Sequence, residues 1–179
     1  MSSPIAAKGT YNFYQRWNLT GGIVWDQKLG YFDNQKVGLQ YLIDPQHVVN
    51  LNYNFSRGGD LLPGAPPESP KNNLKETDVS LYWAINQHFS IIGRWNHNWS
   101  HRHFQAYFYG FSYQNCCWAA RVVLARTFEG LGPDPSYHRK FDTGIYLQFW
   151  LKGLGSLNSG DPHSLLTQSI SGYEDEFSR

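Results

Sequence analysis

The stretch that decides the fold lies at residues 48–57 and reads VVNLNYNFSR. Apolar side chains occupy every second position, at Val49, Leu51, Tyr53 and Phe55. The positions between them are polar, namely Asn50, Asn52, Asn54 and Ser56. Because successive side chains of a β-strand point to opposite faces of the sheet, this stretch predicts a strand with one apolar and one polar face.

The same alternation recurs along the chain, with turn-forming residues between the runs. The intervals suit strands of about 9–11 residues, which is the length that crosses a bilayer at a tilt. Predicted strands lie near residues 5–15, 19–32, 36–43, 48–57, 75–85, 89–98, 103–114, 117–127 and 140–151. Two long connections, 58–74 and 128–139, are rich in Gly, Pro and charge. Long and short connections broadly alternate, as they do in membrane barrels.

The composition is unusual for a soluble domain. Aromatic residues reach 17% and charged residues only 16%, against the roughly 25% charged residues of soluble domains. Mean hydropathy is nevertheless −0.52, so the chain is polar on average, as expected of strands with lipid on one side and water on the other. A net charge of +1 gives no electrostatic case for nucleic-acid binding.

Neither a transmembrane helix nor a signal peptide is predicted. The sequence has no run of about 18 apolar residues, and Met1-Ser2-Ser3-Pro4 leads directly into patterned sequence. An outer-membrane protein must be exported, so the sequence is expected to be part of a longer protein. Aromatic residues near predicted strand ends indicate interface girdles: Trp25, Tyr31, Phe32, Trp83, Trp95, Trp99, Phe104, Trp118 and Trp150.

These patterns predict an all-β fold, an antiparallel transmembrane β-barrel. Single-chain bacterial barrels normally have even strand numbers, and an open sheet leaves two unpaired edges. A count of about nine strands therefore means either that the count is wrong by one or that further strands lie outside this sequence. The cysteine pair described next favours the second alternative, so we predict a segment of a larger barrel, with about eight to ten strands present.

The two cysteines, Cys116 and Cys117, are adjacent. Neighbouring Cα atoms are about 3.8 Å apart, below the usual disulfide span of roughly 4.4–6.8 Å, so a bond between them would be strained. Thiols of exported proteins normally find partners, which favours partners on polypeptide outside this sequence. Two free thiols of no consequence remain the alternative, and no zinc spacing surrounds the pair.

Other motifs give little support for catalysis or cofactor binding. His97, His101 and His103 lie close together at a predicted turn, where solvated histidines are more common than a metal or phosphate site. The segment Gly153-Leu154-Gly155 lacks the third glycine of a dinucleotide fingerprint, and no helix is predicted after it. No Gly-x-Ser-x-Gly elbow is present. The sequence therefore predicts no enzyme, no metal site and no cofactor.

Three segments carry a resemblance to a known family. Residues 110–121 read GFSYQNCCWAAR and are followed by Arg126, while residues 151–156 read LKGLGS and residues 170–173 read ISGY. Together they resemble the cysteine-pair region, the final strand and the tail of the LptD family, the lipopolysaccharide-assembly proteins also called organic solvent tolerance proteins. Upstream of them, only the alternating strand pattern agrees with the family.

The resemblance implies a periplasmic N-terminal jelly-roll domain and a very large C-terminal barrel plugged by the lipoprotein LptE. It implies disulfide bonds from Cys116 and Cys117 to that N-terminal domain. Lipopolysaccharide would arrive along a bridge of periplasmic jelly-roll proteins and leave through a lateral gate, where the first and last barrel strands meet. The expected location is the outer membrane of a Gram-negative bacterium.

We therefore assign residues 1–151 to the C-terminal strands of the barrel and residues 152–179 to a tail on the periplasmic side. The expected gate strand, about residues 140–151, contributes Phe141, Gly144, Ile145, Leu147, Phe149 and Leu151. The lumen is expected to hold Asn50, Asn52, Asn54, Arg121 and Gln148. Outer-membrane lipid is expected to contact Val49, Leu51, Phe55, Val79, Leu81, Ile85, Ile145, Leu147 and Phe149.

Two other functions fit part of the sequence. A small autonomous outer-membrane barrel, acting as a pore or adhesin, would place its last strand at the C-terminus, whereas about 28 residues follow residue 151 here. A soluble β-sandwich binding module would stay monodisperse without detergent, whereas either barrel would depend on it.

Overall fold

The computed structural model describes residues 4–27, 30–57, 73–100, 103–131, 139–152, 155–159 and 162–174. Within them it contains ten strands and one helix. The strands are β1 (Ile5–Phe13), β2 (Trp17–Asp26), β3 (Tyr31–Asp44), β4 (His47–Ser56), β5 (Leu74–Ala84), β6 (Phe89–Asn98), β7 (His103–Gln114), β8 (Trp118–Leu131), β9 (Arg139–Leu151) and β10 (Gly155–Ser159). The helix, α1, spans Pro162–Ser169.

The ten strands form one antiparallel sheet in sequence order from β1 to β10. Among the described residues no pairing joins β10 to β1, so the sheet is open and has one edge at each. Short turns connect β1–β2, β3–β4, β5–β6 and β7–β8 at one end of the sheet, which we call the short-turn end. The expectation of an all-β segment with about eight to ten antiparallel strands is confirmed.

The predicted strand 19–32 extends too far at its C-terminal end. The structure ends β2 at Asp26, and Gly30 N donates a 2.9 Å hydrogen bond to Asp26 O within a tight turn. Gly30 has a φ of +69° there, a conformation that suits glycine. The aromatic pair Tyr31 and Phe32 therefore begins β3, which was predicted to start five residues later, at residue 36.

The prediction that residues 140–151 form the last strand is also wrong, because β10 follows and pairs with Leu147–Leu151 of β9. A five-residue strand is too short to show alternation clearly in sequence. The helix α1 was not predicted either, because eight residues are too few to show a clear helical period in the sequence. No helix among the described residues has the length and apolar character needed to cross a bilayer.

The register divides the sheet into two faces, since directly opposed residues share a face. Asn50 lies opposite Gln40 and Ser80, and Ser80 lies opposite Arg94. We call this side the polar face, and the opposite side, which carries Leu51, the apolar face. The apolar face is largely exposed in the chain, including Leu51, Tyr109, Phe111, Ile145 and Leu147.

The buried core sits on the polar face, beneath the C-terminal segment. Residues 162–173, which we call the tail segment, fold back over the sheet near its short-turn end. Leu166 and Ile170 are fully buried, and Tyr173 is 6% exposed. They pack on apolar side chains from five strands: Val48, Tyr82, Ile92, Phe108, Val123 and Ala125. A sheet that is polar along most of this face therefore carries a local apolar patch where the tail segment docks.

Candidate functional site on the polar face

The predicted lumen residues all lie on the polar face. Asn50 is 3% exposed, Gln148 5% and Arg121 1%, whereas Asn52 is exposed and Asn54 is half-buried. Arg121 lies opposite both Ser112 and Gln148, which places it on the same side of the sheet as Ser90 and Arg94. The structure therefore separates these side chains into a buried group near the short-turn end and an open group further along β4.

Arg121 is the centre of the buried group. Its guanidinium donates from Nη1 to Gln148 Oε1 at 3.1 Å and from Nη2 to Tyr173 Oη at 2.7 Å. A buried cation requires such partners, because burying a charge without hydrogen bonds is strongly unfavourable. The alternation of residues in the sequence predicts that Arg121 faces the lumen, but no local pattern identifies Tyr173 as its partner.

The backbone carbonyl of Ser171 forms a second anchor. It accepts a 2.9 Å hydrogen bond from Gln40 Nε2 and a 3.0 Å bond from Asn50 Nδ2. Gly172 follows with a φ of +85°, and a Cβ there would lie 2.9 Å from Gln40 Nε2. Glycine therefore allows the chain to turn close to the sheet. In the sequence, the motif Ile170-Ser171-Gly172-Tyr173 carried only a family resemblance. Its contacts could not be predicted, because its partners lie far away along the chain.

Arg94 provides the third anchor. Its Nη2 lies 2.7 Å from Asp78 Oδ2 in an ion pair across β5 and β6, while Nη1 donates to Ser169 Oγ at 3.0 Å. Asn96 Nδ2 also donates to Asp78 Oδ2 at 3.0 Å. A single network thus joins two strands to the end of α1.

An open hollow of about 980 Å³ lies beside the tail segment. Its walls are the polar face of β1–β6 toward the end opposite the short turns, and its base includes Thr167, Ser169 and Ser171. The charged side chains in its wall are Lys8, Lys36, Glu76, Asp78 and Arg94, accompanied by Asn34, Asn50, Asn52, Asn54 and Asn96. The amide oxygens of Asn54 and Asn96 are buried and accept no hydrogen bond from the described residues. This surface can bind a ligand rich in hydroxyl groups or water.

The apolar face carries the residues predicted to contact lipid. Exposure is high at Ile145 (62%), Leu147 (50%) and Leu51 (47%) and lower at Phe149 (38%). Val49, Phe55, Val79 and Leu81 are half-buried, and Ile85 lies just beyond the end of β5. A contiguous apolar surface this wide is not normal for a soluble monomer and indicates an interaction surface.

Aromatic side chains are concentrated on the apolar face at the short-turn end. Ring contacts join Phe13 to Trp17 and Trp17 to Tyr41, and further along the sheet Tyr113 contacts Phe89 and Trp118. We call these aromatic side chains at the short-turn end the aromatic row. Of the predicted girdle residues, Trp83 and Trp118 belong to it, and Trp118 also contacts Phe149. Trp150 instead shares the polar face with Gln148, and the side chain of Phe104 lies outside the described residues.

Cys116 and Cys117 occupy the β7–β8 turn, at the short-turn end, and both are exposed. Their Sγ atoms lie 2.8 Å apart, beyond the length of an S–S bond, and both are free thiols. The hydrogen bond with Cys116 raises the pKa of the Cys117 thiol, while nearby Lys152 acts in the opposite direction. The pair is therefore accessible to another polypeptide from this end of the sheet.

The predicted histidine cluster is only partly described. The His97 ring packs between Trp95, at 5.4 Å, and Trp99, at 4.7 Å. His101 and the side chain of His103 lie outside the described residues. Within the part of the chain that the structure describes, no group of three potential metal ligands occurs.

The expected gate residues lie on β9. The register places Phe141, Ile145, Leu147, Phe149 and Leu151 on the apolar face and Gly144 on the polar face. At Gly144 the ring of Tyr146 occupies the space of a side chain, since a Cβ there would lie 3.1 Å from Tyr146 Cε2. Because β10 pairs with Leu147–Leu151, the free edge of the sheet lies on β10 and, beyond it, on the remainder of β9.

Comparisons with known proteins give a consistent result. Residues 1–99 match the model of the family described as LptD, LPS transport system D. The chain is 33% identical to the LPS-assembly protein LptD of Legionella pneumophila (strain Lens) over 178 residues, covering 99% of this chain and 21% of that protein. For the LPS-assembly protein LptD of Coxiella burnetii (strain RSA 493 / Nine Mile phase I), identity is 30%, covering 92% of this chain and 20% of that protein.

A third relative is the LPS-assembly protein LptD of Pseudomonas aeruginosa (strain LESB58), at 28% identity, covering 96% of this chain and 19% of that protein. The chain thus spans about a fifth of the length of the curated relatives it matches. The family match lies upstream of the motifs at residues 110–173, so the upstream strands carry family character beyond simple alternation.

Proposed function

Since this chain belongs to the LptD family, we propose that it forms C-terminal strands of an outer-membrane β-barrel that inserts lipopolysaccharide into the outer leaflet. The two-faced sheet is the observation that carries this proposal. Its exposed apolar face, bordered by an aromatic row, suits contact with lipid. Its polar face, with the open hollow, suits contact with water and sugar. The role is transport, with no catalytic step.

Lipopolysaccharide is amphipathic, so its transport requires a polar path for the sugar and an apolar route for the acyl chains. Asparagine amides both donate to and accept from hydroxyl groups, and Asn50, Asn52 and Asn54 follow one another on the polar face of β4. Lys8 and Lys36 in the same hollow would attract phosphate groups. We assign this face to the lumen and the opposite face to outer-membrane lipid.

The lateral gate is proposed at the β10 edge rather than on β9 alone. A closed barrel has no edge, so acyl chains can leave only where one strand pair opens. The β10 strand contributes only five residues and pairs with Leu147–Leu151. A seam formed by so short a strand has fewer hydrogen bonds to break. Phe141 and Ile145 then line the apolar side of the same seam.

Cys116 and Cys117 are proposed to form disulfide bonds with an N-terminal periplasmic domain of the longer protein. Short turns of outer-membrane barrels face the periplasm, and both thiols are exposed at the short-turn end. In that compartment thiols are oxidised. Such bonds would hold the N-terminal periplasmic domain, which receives lipopolysaccharide from the bridge, against the barrel.

The remaining partners are proposed from the family resemblance. They are an LptE-like plug lipoprotein inside the barrel and the periplasmic jelly-roll proteins that form the lipopolysaccharide bridge. Two features argue against the small autonomous barrel: the ten strands among the described residues form an open sheet, and the relatives are about five times longer than this chain. The exposed apolar face argues against the soluble β-sandwich.

Photocrosslinking in the full-length protein tests the proposed function. A photoreactive amino acid at Asn52 should capture lipopolysaccharide in actively growing cells, because this exposed side chain lies in the hollow. The control is Ile91, which is exposed on the opposite face close to the short-turn end, where the proposed barrel would meet the inner leaflet and should capture far less lipopolysaccharide. Equal capture at the two positions, or none at Asn52, would contradict the assignment of faces and of substrate.

A further inference from the structure

The tail segment, residues 162–173, separates the hollow from the short-turn end of the sheet. Most strand residues that line the hollow lie toward the end of the sheet opposite the short turns, as Lys36 does on β3 and Asn54 on β4, while Asn50 lies nearer the short turns, beside the tail segment. The apolar side chains of the tail segment pack closer to the short-turn end, near Val48 at the start of β4 and Tyr82 near the end of β5. Thr167, Gln168 and Ser169 then form the base of the hollow.

The tail segment is fixed to the sheet by both apolar and polar contacts. Leu166 and Ile170 are fully buried in the core cluster. Arg94, Asn50 and Arg121, on three different strands, hydrogen-bond to Ser169, Ser171 and Tyr173 respectively. These contacts span β4 to β8, so the segment crosses the polar face rather than running along one strand. The guanidinium of Arg121 is only 1% exposed, and burying a charge is unfavourable unless its hydrogen-bond partners are firmly held, so the tail segment is not a loosely attached extension.

We propose that the tail segment is a floor that closes this part of the barrel lumen toward the periplasm against ions and small polar solutes. The inference rests on the proposed function, because it requires the polar face to line a lumen. It assigns a permeability function to residues 162–173 that is separate from lipid transport. The proposed plug lipoprotein would fill another part of the barrel, and any part of a wide lumen left unblocked would conduct ions.

Ionic conductance of the full-length protein, purified with its natural partners and inserted in planar lipid bilayers in potassium chloride, tests the floor. Ile170→Asp places a charge in the apolar patch and should release the tail segment. We expect conductance to rise several-fold. Ser164→Asp is the matched control, because it adds the same charge to a partly exposed position of the same helix that does not line the hollow. Its conductance should equal that of the unmodified protein.

Two further measurements make each outcome decisive. Protease sensitivity of the tail segment reports its release, and heat-modifiable mobility on gels reports barrel assembly. A released tail with unchanged conductance would overturn the floor. If Ile170→Asp fails to assemble, truncation after Ser159 replaces it, since lumen water can then solvate Arg121; unchanged conductance of that assembled variant would equally overturn the floor. If the unmodified protein neither inserts nor shows heat-modifiable mobility, the proposed barrel function fails instead.

Discussion

Arg121 and Tyr173 are 52 residues apart in sequence, yet Arg121 Nη2 donates a 2.7 Å hydrogen bond to Tyr173 Oη in the buried part of the polar face. The bond joins β8, which follows the cysteine pair, to the last buried residue of the tail segment. The guanidinium also reaches Gln148 on β9. The tail segment and two neighbouring strands are therefore held through one side chain.

Tyr173→Phe should destabilise the assembled protein, because it removes the hydroxyl that accepts from a buried guanidinium. A hydrogen bond to a charged group contributes about 1.5–3 kcal/mol. The measurement is the temperature at which the folded band disappears on semi-native gels. Tyr109→Phe, on the exposed apolar face, is the control and should leave this temperature unchanged. Equal midpoints for both variants would show that the Arg121 contact contributes nothing.

Leu51→Arg and Asn52→Arg compare the two faces at adjacent exposed positions. A charge facing lipid near the midplane costs about 2–4 kcal/mol, whereas one facing the lumen is tolerated. Only Leu51→Arg should therefore lower the stability of the assembled barrel, measured by urea unfolding in detergent micelles or vesicles. A larger loss of stability for Asn52→Arg would show that the two faces are assigned the wrong way round on every strand, because the side-chain period of a strand is two.

Gly110→Ala should destabilise the β7–β8 pair. A Cβ at Gly110 would overlap Val122 O and lie 3.0 Å from Val123 Cα, and both are backbone atoms that cannot rotate away. Overpacking of this kind costs about 1–3 kcal/mol. Gly21→Ala is the control, since nothing lies within 4 Å of the corresponding Cβ. In the same unfolding measurement, Gly110→Ala should be less stable than Gly21→Ala. Equal stabilities of the two variants would show that β7 and β8 can move apart enough to accommodate the added Cβ.

Replacing both Cys116 and Cys117 with Ser should weaken the outer-membrane barrier to large antibiotics, while single replacements should be tolerated. The reason is that the proposed disulfide bonds hold the periplasmic domain against the barrel. Closing loops of several hundred residues stabilises by up to about 5 kcal/mol on the chain-entropy model. Non-reducing peptide mapping of the native protein identifies the partners. Two free thiols, or a bond between Cys116 and Cys117, would disprove this pairing.

Cys116→Ala should shift the alkylation of reduced Cys117 to lower pH. The hydrogen bond and charge interaction with Cys116 raise the pKa of the Cys117 thiol, so they disfavour its thiolate. The thiolate is the nucleophile; removing Cys116 therefore lets it form at lower pH and leaves Lys152 to favour it. The pH profile of the iodoacetamide reaction measures the shift. Lys152→Gln should move the profile the opposite way.

Much of the sheet could be predicted from sequence because its pattern is local. Alternation at Val49, Asn50 and Leu51 requires only the geometry of a single strand, and it gave both faces and most strand positions. The β2–β3 boundary was missed because the aromatic residues Tyr31 and Phe32 continue the apolar pattern across a turn. The turn depends on Gly30, whose positive φ is a property of backbone geometry.

By itself, the sequence determined that the chain forms amphipathic antiparallel strands and that its adjacent cysteines are poorly placed to bond to each other. Only the tertiary structure decided where the tail segment lies. Its contacts join residues such as Asn50 and Ser171, which are 121 positions apart. No local period encodes such a contact, because it depends on the apolar patch that five separate strands assemble on an otherwise polar face. Arg121 therefore has a partner that becomes visible only once the chain is folded.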